Sequence, residues 1–349
     1  MRIALCAVQI PFELGGGAEY LCDNLYNELI KRNYDVEYIK IPFKWYPPEE
    51  IINNSLAWRL LDLSESDGVK IDCVIATKFP TYLVKHPNKI VWLLHQHRVA
   101  YDLAYTEFDD MQNKGKAGEI VRKKIKYMDN KCLKESKQLY TISQNVADRL
   151  WRYNGIAGET LYHPPPLLGK YYCENYDDYI FYPSRLDPLK RQDLIIESMK
   201  YVESNIRLKI AGSGKMADNY VKLARTHNVD DRIDFLGRVS EEKLLNLYAN
   251  SFCIPYVPRD EDLGYITLES FLSKKPVITC IDSGGPLEFV EDNVNGFVLE
   301  PDPKQIAERI DFIYENELSK NMGEKGYDKI KSMNLSWDNV VMNLLENVE

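Results

Sequence analysis

Two glutamates, Glu261 and Glu269, stand eight positions apart on either side of Gly264. An apolar run, Ser251-Phe-Cys-Ile-Pro-Tyr-Val-Pro258, ends just before them in a short acidic loop. Ile266, Leu268, Phe271 and Leu272 then recur at helical spacing until Pro276 stops them, and a second strand run begins at Val277. Strand, loop, helix, strand is the unit of a parallel sheet. Its loop opens onto a helix N-terminus, where unpaired N–H groups and the helix dipole attract an anion. Glu261 lies in the loop, and Glu269 lies about a turn and a half into the helix. Asp260-Glu-Asp262 is also a D-x-D, so carboxylates holding a metal–diphosphate complex are an alternative use of this loop. The helix N-terminus supplies positive potential without a metal.

Other chemistry-bearing residues also fall at strand ends. After the strand Tyr179–Tyr182 comes Ser184-Arg-Leu-Asp-Pro-Leu-Lys190-Arg191, in which Arg185 and Lys190 place two positive charges within reach of one diphosphate. A solvated basic turn is the other reading. Gly15-Gly16-Gly17 separates the first strand from the first helix, which suits either a tight turn or a phosphate approaching the backbone. The strand Lys89–Leu94 ends in His95-Gln-His97-Arg98. If that strand continues, both histidines project to one side. They lack an evident third ligand for a metal, and histidines bonded at a strand end are the plainer reading. Gly212-Ser-Gly-Lys215 looks like half of a Walker loop, but Met216 replaces the Ser or Thr that such a loop needs, which argues against ATP.

The Glu261-x7-Glu269 spacing resembles the E-x7-E motif of retaining GT-B glycosyltransferases of family GT4, the glycosyl transferases group 1. Ser283-Gly-Gly-Pro-Leu-Glu288 and Asn295-Gly-Phe-Val-Leu-Glu-Pro-Asp302 follow in that family's order. The resemblance covers the C-terminal half closely and the N-terminal half loosely. It implies an α/β GT-B fold of two Rossmann-like α/β/α domains facing across a cleft. Residues 1–168 would form the acceptor domain, joined by a returning helix at 336–349, and residues 178–333 the donor domain. It implies transfer of a sugar from a UDP- or GDP-sugar, with retention and without metal or other cofactor. The acceptor would be a glycan, lipid-linked or small-molecule hydroxyl, a reaction of polysaccharide biosynthesis.

Residue by residue, the resemblance sets Arg185, Lys190, Gly16, Gly17 and the Gly264–Tyr265–Ile266 backbone against the donor diphosphate. His95, with His97 two residues away in an open register, would contact the donor sugar and β-phosphate. Arg238 and Val239 would lie by the nucleobase, and Glu269 would accept from the ribose hydroxyls. Glu261 would orient or electrostatically support the sugar rather than act as a covalent nucleophile. Ser184 and Arg191 stand where the family commonly has glycines, which leaves Lys190 and Arg191 as rivals for one role. Two other functions compete. One is a nucleotide-sugar epimerase on the same fold, against which the E-x7-E order argues. The other is a non-catalytic nucleotide-sugar-binding subunit, against which the intact Glu261, Glu269, Arg185 and Lys190 argue.

These residues need a scaffold, and 349 residues are enough for two domains of about 150–170 residues. A hydrophobic content of 45% supports a core in each. A net charge of −9 argues against a general nucleic-acid binder. The seven cysteines are scattered with no C-x-x-C pair, and read as buried thiols of a reducing compartment. Arg2 to Ile10 reads as a first strand rather than a signal peptide, and no apolar run reaches 18 residues, so a cytoplasmic location is expected.

In chain order, a helix is expected from Ala18 to Arg32 with Leu21, Leu25, Leu29 and Ile30 on one face. Strands are expected at Asp35–Ile41 and Ile71–Thr77, a helix near Glu49–Asp62, and a strand Gln138–Ser143 whose last residue caps a helix. Lys114 to Lys137 is a helical segment carrying Arg122, Lys123, Lys124, Lys126, Lys131 and Lys134. A solvated face is one reading of it; contact with an anionic membrane surface or a lipid-diphosphate acceptor is the other. Prolines 164–166 and the tyrosine-rich stretch to Asp178 suit a linker. In the second half, strands are expected at Arg207–Ala211 and Ile233–Val239, and helices at Gln192–Lys200, Glu241–Tyr248, Pro303–Asn316 and Glu317–Met333.

Overall fold

Ile3 to Val8 are buried without a break, as in a strand covered on both faces. They form β1 (Arg2–Gln9) of a computed structural model that describes residues 1–10 and 16–348. Gly15 of the first glycine turn therefore lies outside the described residues. The chain divides into two units, Met1–Pro166 with Ser336–Glu349, and Leu167–Leu335.

In the first unit, α1 (Gly17–Lys31) buries Leu21, Cys22, Leu25 and Leu29. Ile30, expected on that face, is exposed, and Cys22 takes its place. Then follow β2 (Asp35–Pro42), α2 (Pro48–Leu60), a short hairpin of β3 (Glu65–Ser66) and β4 (Val69–Lys70), β5 (Cys73–Ala76) and β6 (Lys89–Leu93). The unit continues through α3 (Gly115–Cys132), β7 (Gln138–Thr141), α4 (Gln144–Asn154) and β8 (Glu159–Thr160). The main sheet runs β2-β1-β5-β6-β7-β8, with each pair parallel. Ser143 caps α4, its hydroxyl accepting from the Val146 N–H at 3.1 Å.

The second unit holds β9 (Asp177–Pro183), α5 (Gln192–Ser198), β10 (Arg207–Ala211), α6 (Ala217–Thr226), β11 (Ile233–Gly237) and α7 (Glu241–Asn250). It continues with β12 (Ser251–Pro255), α8 (Tyr265–Leu272), β13 (Val277–Cys280), β14 (Gly296–Leu299), α9 (Pro303–Glu315) and α10 (Ser319–Ser332). The sheet order is β11-β10-β9-β12-β13-β14, again all parallel. Phe181, Phe252, Phe271 and Phe289 fill its core.

The last helix, α11 (Trp337–Leu345), belongs to the first unit. Trp337 meets the buried Trp92 edge-on at 6.3 Å, and the Tyr140 hydroxyl donates to the Asn343 carbonyl at 3.1 Å. An Asp338–Arg32 ion pair ties the start of α11 to the end of α1.

Each sheet reverses its strand order once, between β1 and β5 in the first unit and between β9 and β12 in the second. The connections leaving the two strands diverge there, so a crevice opens beyond their carboxyl ends, and ligands of doubly wound sheets bind in such places.

Candidate active site

In the second unit three loops meet at that crevice. Arg259 N–H donates to the Leu189 carbonyl at 2.8 Å, joining the loop after β12 to the loop after β9. Asp260 and Glu261 donate to the carbonyls of Asp282 and Ser283, and the Gly285 N–H returns to the Glu261 carbonyl, all at 2.8 Å. Ser283-Gly-Gly is thus the backbone partner that holds Glu261 in place. Gly264 caps α8 at φ +85°, a left-handed conformation open to glycine at little cost. A Cβ there would also meet Pro286 at 3.0 Å and Tyr256 at 3.1 Å. Having no side chain, this cap supplies no side-chain oxygen to α8, and the Thr267 N–H turns back to the Gly264 carbonyl at 3.0 Å.

The side chains follow from these loops. Lys190 forms an ion pair with Glu261, and its Nζ is 3.4 Å from the buried Tyr256 hydroxyl. Arg185 is exposed at the end of β9. Arg191 does different work. Its Nε donates to the Val257 carbonyl at 2.7 Å and Nη2 to the Pro258 carbonyl at 2.8 Å. Both Nη atoms also hold Asp282, at 2.9 and 2.7 Å. Of the two rivals, then, Lys190 is the one at Glu261, while Arg191 clamps the ends of β12 and β13.

Glu269 is half-buried and accepts from the Tyr248 hydroxyl at 2.6 Å. Burial pushes its carboxyl up from the ordinary range, and the hydroxyls of Tyr248 and Tyr171 oppose that push. Arg238 is exposed and Val239 half-buried, just past the carboxyl end of β11 and two strands away from β9. Gly212-Ser-Gly serves the loop after β9 rather than a phosphate: a Cβ on Gly212 would sit 1.8 Å from the Ser184 carbonyl oxygen. The Leu186 N–H donates to the Ser213 carbonyl at 3.1 Å. Asp260 and Asp262 are both half-buried in the same loop as Glu261.

The first unit's crevice holds Gly16, Gly17 and an unforeseen residue, Lys78. The Gly16 N–H donates to the Glu19 carboxylate at 2.8 Å, and Lys78 Nζ holds the other oxygen at 2.8 Å. Burial would raise this carboxyl, but Lys78 and the Gly16 N–H bring it down to about 2. The N-terminus of α1 therefore already carries an internal anion.

β6 ends at Leu93, so both histidines lie in the loop beyond it. Half-buried His95 bonds through Nδ1 to the Gln96 carbonyl at 2.7 Å. His97 packs against Phe79 and Phe43, with ring centroids at 5.3 and 6.3 Å, and its Nε2 is buried without a partner. Burial, with His95 and Arg122 nearby, lowers its pKa to about 3, so the ring is neutral. Among the described residues, no three His, Cys, Asp or Glu side chains come together as a metal site. All seven cysteines are free, and all but the half-buried Cys173 are buried.

Sequence reasoning missed Tyr248, Tyr171, Tyr256, Asp282 and Lys78. No spacing rule joins Tyr248 to Glu269, or Arg191 to Asp282; only the strand order brings them together.

Residues 174–329 match the model of glycosyl transferases group 1. The second unit is a glycosyl transferases group 1 domain. Among curated relatives, human alpha-1,3/1,6-mannosyltransferase ALG2 is 34% identical over 111 residues, 32% of this chain. The chain spans only 26% of that relative's length. Sucrose-phosphate synthase from Thermosynechococcus elongatus superposes with a TM-score of 0.78 over 99% of this chain and 98% of its own, at 16% identity. Anabaena HepE, solved with UDP and glucose, gives 0.68 over 99% and 98% at 15% identity. The fold is that of the GT-B glycosyltransferases. The group 1 domain contains Arg185, Lys190, Glu261, Gly264 and Glu269.

Proposed function

We propose that this chain is a retaining glycosyltransferase that moves a sugar from a nucleoside-diphosphate sugar to an acceptor hydroxyl, without a metal. The observation that carries the reading is the Lys190–Glu261 pair at the β9/β12 crevice, beside the glycine-capped N-terminus of α8. Sugar transfer needs a leaving diphosphate stabilised as the sugar–oxygen bond breaks. Arg185 and Lys190 supply mobile positive charge, and the Gly264–Tyr265–Ile266 backbone supplies fixed dipoles. On this reading Lys190 turns from Glu261 to a phosphate oxygen when the donor arrives. Glu261 is then left facing the sugar, where a carboxylate supports developing positive charge on the ring. Glu269 accepts from the ribose hydroxyls, Arg238 and Val239 lie toward the base, and Gly16, Gly17 and His95 are the first unit's candidates for the diphosphate and sugar.

UDP or GDP is the proposed nucleotide, and the UDP in the HepE structure supports the first. A thermal-shift screen over UDP-, GDP- and ADP-sugars tests it: a selective rise in melting temperature is expected. Donor hydrolysis by wild type, with loss in Lys190→Ala and Glu269→Ala, is the activity test. Equal inertness of all three with every donor would remove the enzyme reading.

We further propose that α3 meets an anionic lipid surface. Lys116, Ile120, Lys123, Lys124, Tyr127 and Lys131 are exposed at helical spacing. Arg122, expected with them, is instead buried in an ion pair with Asp109 at 2.8 Å.

A further inference from the structure

Tyr248 is a fully buried phenol whose hydroxyl has a single described partner, Oε2 of Glu269 at 2.6 Å. Its ring is fixed edge-on by Phe181 at 5.2 Å and by Tyr171 at 6.0 Å. Phenylalanine would fill that packing equally well, so the hydroxyl is there for the carboxylate. Tyr171 approaches from the segment that opens the second unit. Its hydroxyl is buried beside the same carboxylate, where it too favours the charged form of Glu269. Glu269 itself needs help, because burial favours its neutral form, and a neutral carboxyl accepts fewer hydrogen bonds.

We propose that Tyr248, seconded by Tyr171, is a positioning residue that holds Glu269 with one oxygen occupied and the other presented to a nucleotide ribose hydroxyl, and so sets a preference for ribonucleotides over deoxyribonucleotides. This rests on the donor reading above. Occupying Oε2 fixes the rotamer of the carboxylate, so Oε1 meets a hydroxyl at one place on the sugar. A deoxyribose leaves that half-buried oxygen unpaired, and a site built to bond a hydroxyl rejects the analogue lacking it.

The experiment is calorimetric titration of wild type, Tyr248→Phe and Tyr171→Phe. UDP, GDP and ADP are titrated first, to choose the base. The chosen diphosphate is then compared with its 2′-deoxy and 3′-deoxy counterparts. Wild type is expected to prefer the ribonucleotide by about 10- to 100-fold over at least one deoxy form, the range of one hydrogen bond to a charged group. In Tyr248→Phe that ratio is expected to fall to within about threefold, through lost ribonucleotide affinity, with a smaller fall in Tyr171→Phe. An unchanged ratio, or equal weakening of both ligands, overturns the inference; a purely structural tyrosine gives the second result. Should Tyr248→Phe fail to fold, Tyr171→Phe reads the same ratio and decides alone. Wild type that binds no nucleoside diphosphate defeats the donor reading itself. Wild type that binds both sugar forms equally defeats only this inference.

Discussion

Lys190 is the residue on which the proposed chemistry turns, because it is bonded to one member of the glutamate pair and stands at the end of β9. Removing it leaves Glu261 facing the crevice without its cation and takes a charge from the departing diphosphate. Lys190→Ala is expected to lower the turnover of donor hydrolysis or transfer about 10²- to 10³-fold, the cost of losing one preorganised electrostatic group. Its melting temperature should also fall, since the pair is only 18% and 22% exposed and loss of the lysine leaves Glu261 without its counter-charge. Lys190→Arg should recover part of the rate, because the charge returns in a different shape. Steady-state kinetics on the three proteins checks this, and a fully active Lys190→Ala would dismiss Lys190 from the mechanism. Lys190 and Arg191 are adjacent cations in the sequence, and composition cannot separate them. What separates them is backbone geometry. Arg191 is left-handed at φ +50°, and its side chain bonds to the carbonyls of Val257 and Pro258 and to Asp282.

That clamp belongs to the loops rather than to the chemistry. Arg191 joins the segment after β9 to the ends of β12 and β13, so it fixes where Glu261 stands relative to Lys190. Arg191→Ala is expected to lower melting temperature and donor affinity together, with Asp282→Ala giving the same pattern and the double variant little more than either single one. Differential scanning fluorimetry with and without nucleotide tests the coupling; strictly additive effects would mean that the two side chains act apart. The order of strands and helices was legible, because β1, β5, β6 and β12 are apolar runs and the helices between them carry apolar residues at helical spacing. The E-x7-E loop was legible for the same reason, both glutamates lying on one strand–loop–helix unit. Partners from different loops were not, because contacts such as Tyr248–Glu269 follow from sheet order, which no local pattern records. The strand under the histidines stops at Leu93, and past a strand's end its alternation no longer applies.

A second element-level expectation concerns α3 and pH. Asp129 is buried there, accepting from the Tyr101 hydroxyl at 2.7 Å, and burial raises its pKa from 3.8 to about 7. Between those values the folded chain keeps a proton that the unfolded chain has released. Its contribution to stability is therefore full below about pH 4 and declines as pH rises through about 7. Asp129→Asn keeps the shape and cannot ionise. Relative to wild type it should gain melting temperature from pH 4 to about pH 7 and level off above that; parallel melting curves across that range would mean that Asp129 is not held protonated.

For the molecule as a whole, a net charge of −9 makes any concentrated basic surface unexpected. Along α3 and the turn after it, Lys116, Lys123, Lys124, Lys131 and Lys134 are exposed, with Ile120 and Tyr127 among them at 54% and 68% exposure. The neighbouring acids are engaged elsewhere: Glu119 bonds to the Tyr105 hydroxyl and Arg122, Glu135 pairs with Arg59, and Asp129 is buried. The stripe thus keeps its positive charge, and each lysine near an anionic bilayer contributes about 1 kcal/mol within a Debye length. No described helix is long and apolar enough to cross a membrane, so any contact through this stripe would lie along the surface. Flotation is expected to carry the protein up with vesicles containing anionic lipid at low salt, but not with zwitterionic vesicles, and to fail in high salt. Lys116→Glu, Lys123→Glu and Lys124→Glu together should abolish it while leaving donor hydrolysis intact, because none of these residues lies at the β9/β12 crevice. Ile120→Ser with Tyr127→Ser should weaken flotation less, since two side chains bury little area in the headgroup layer. Equal flotation with both kinds of vesicle, or none with either, would return the stripe to a solvated helix face.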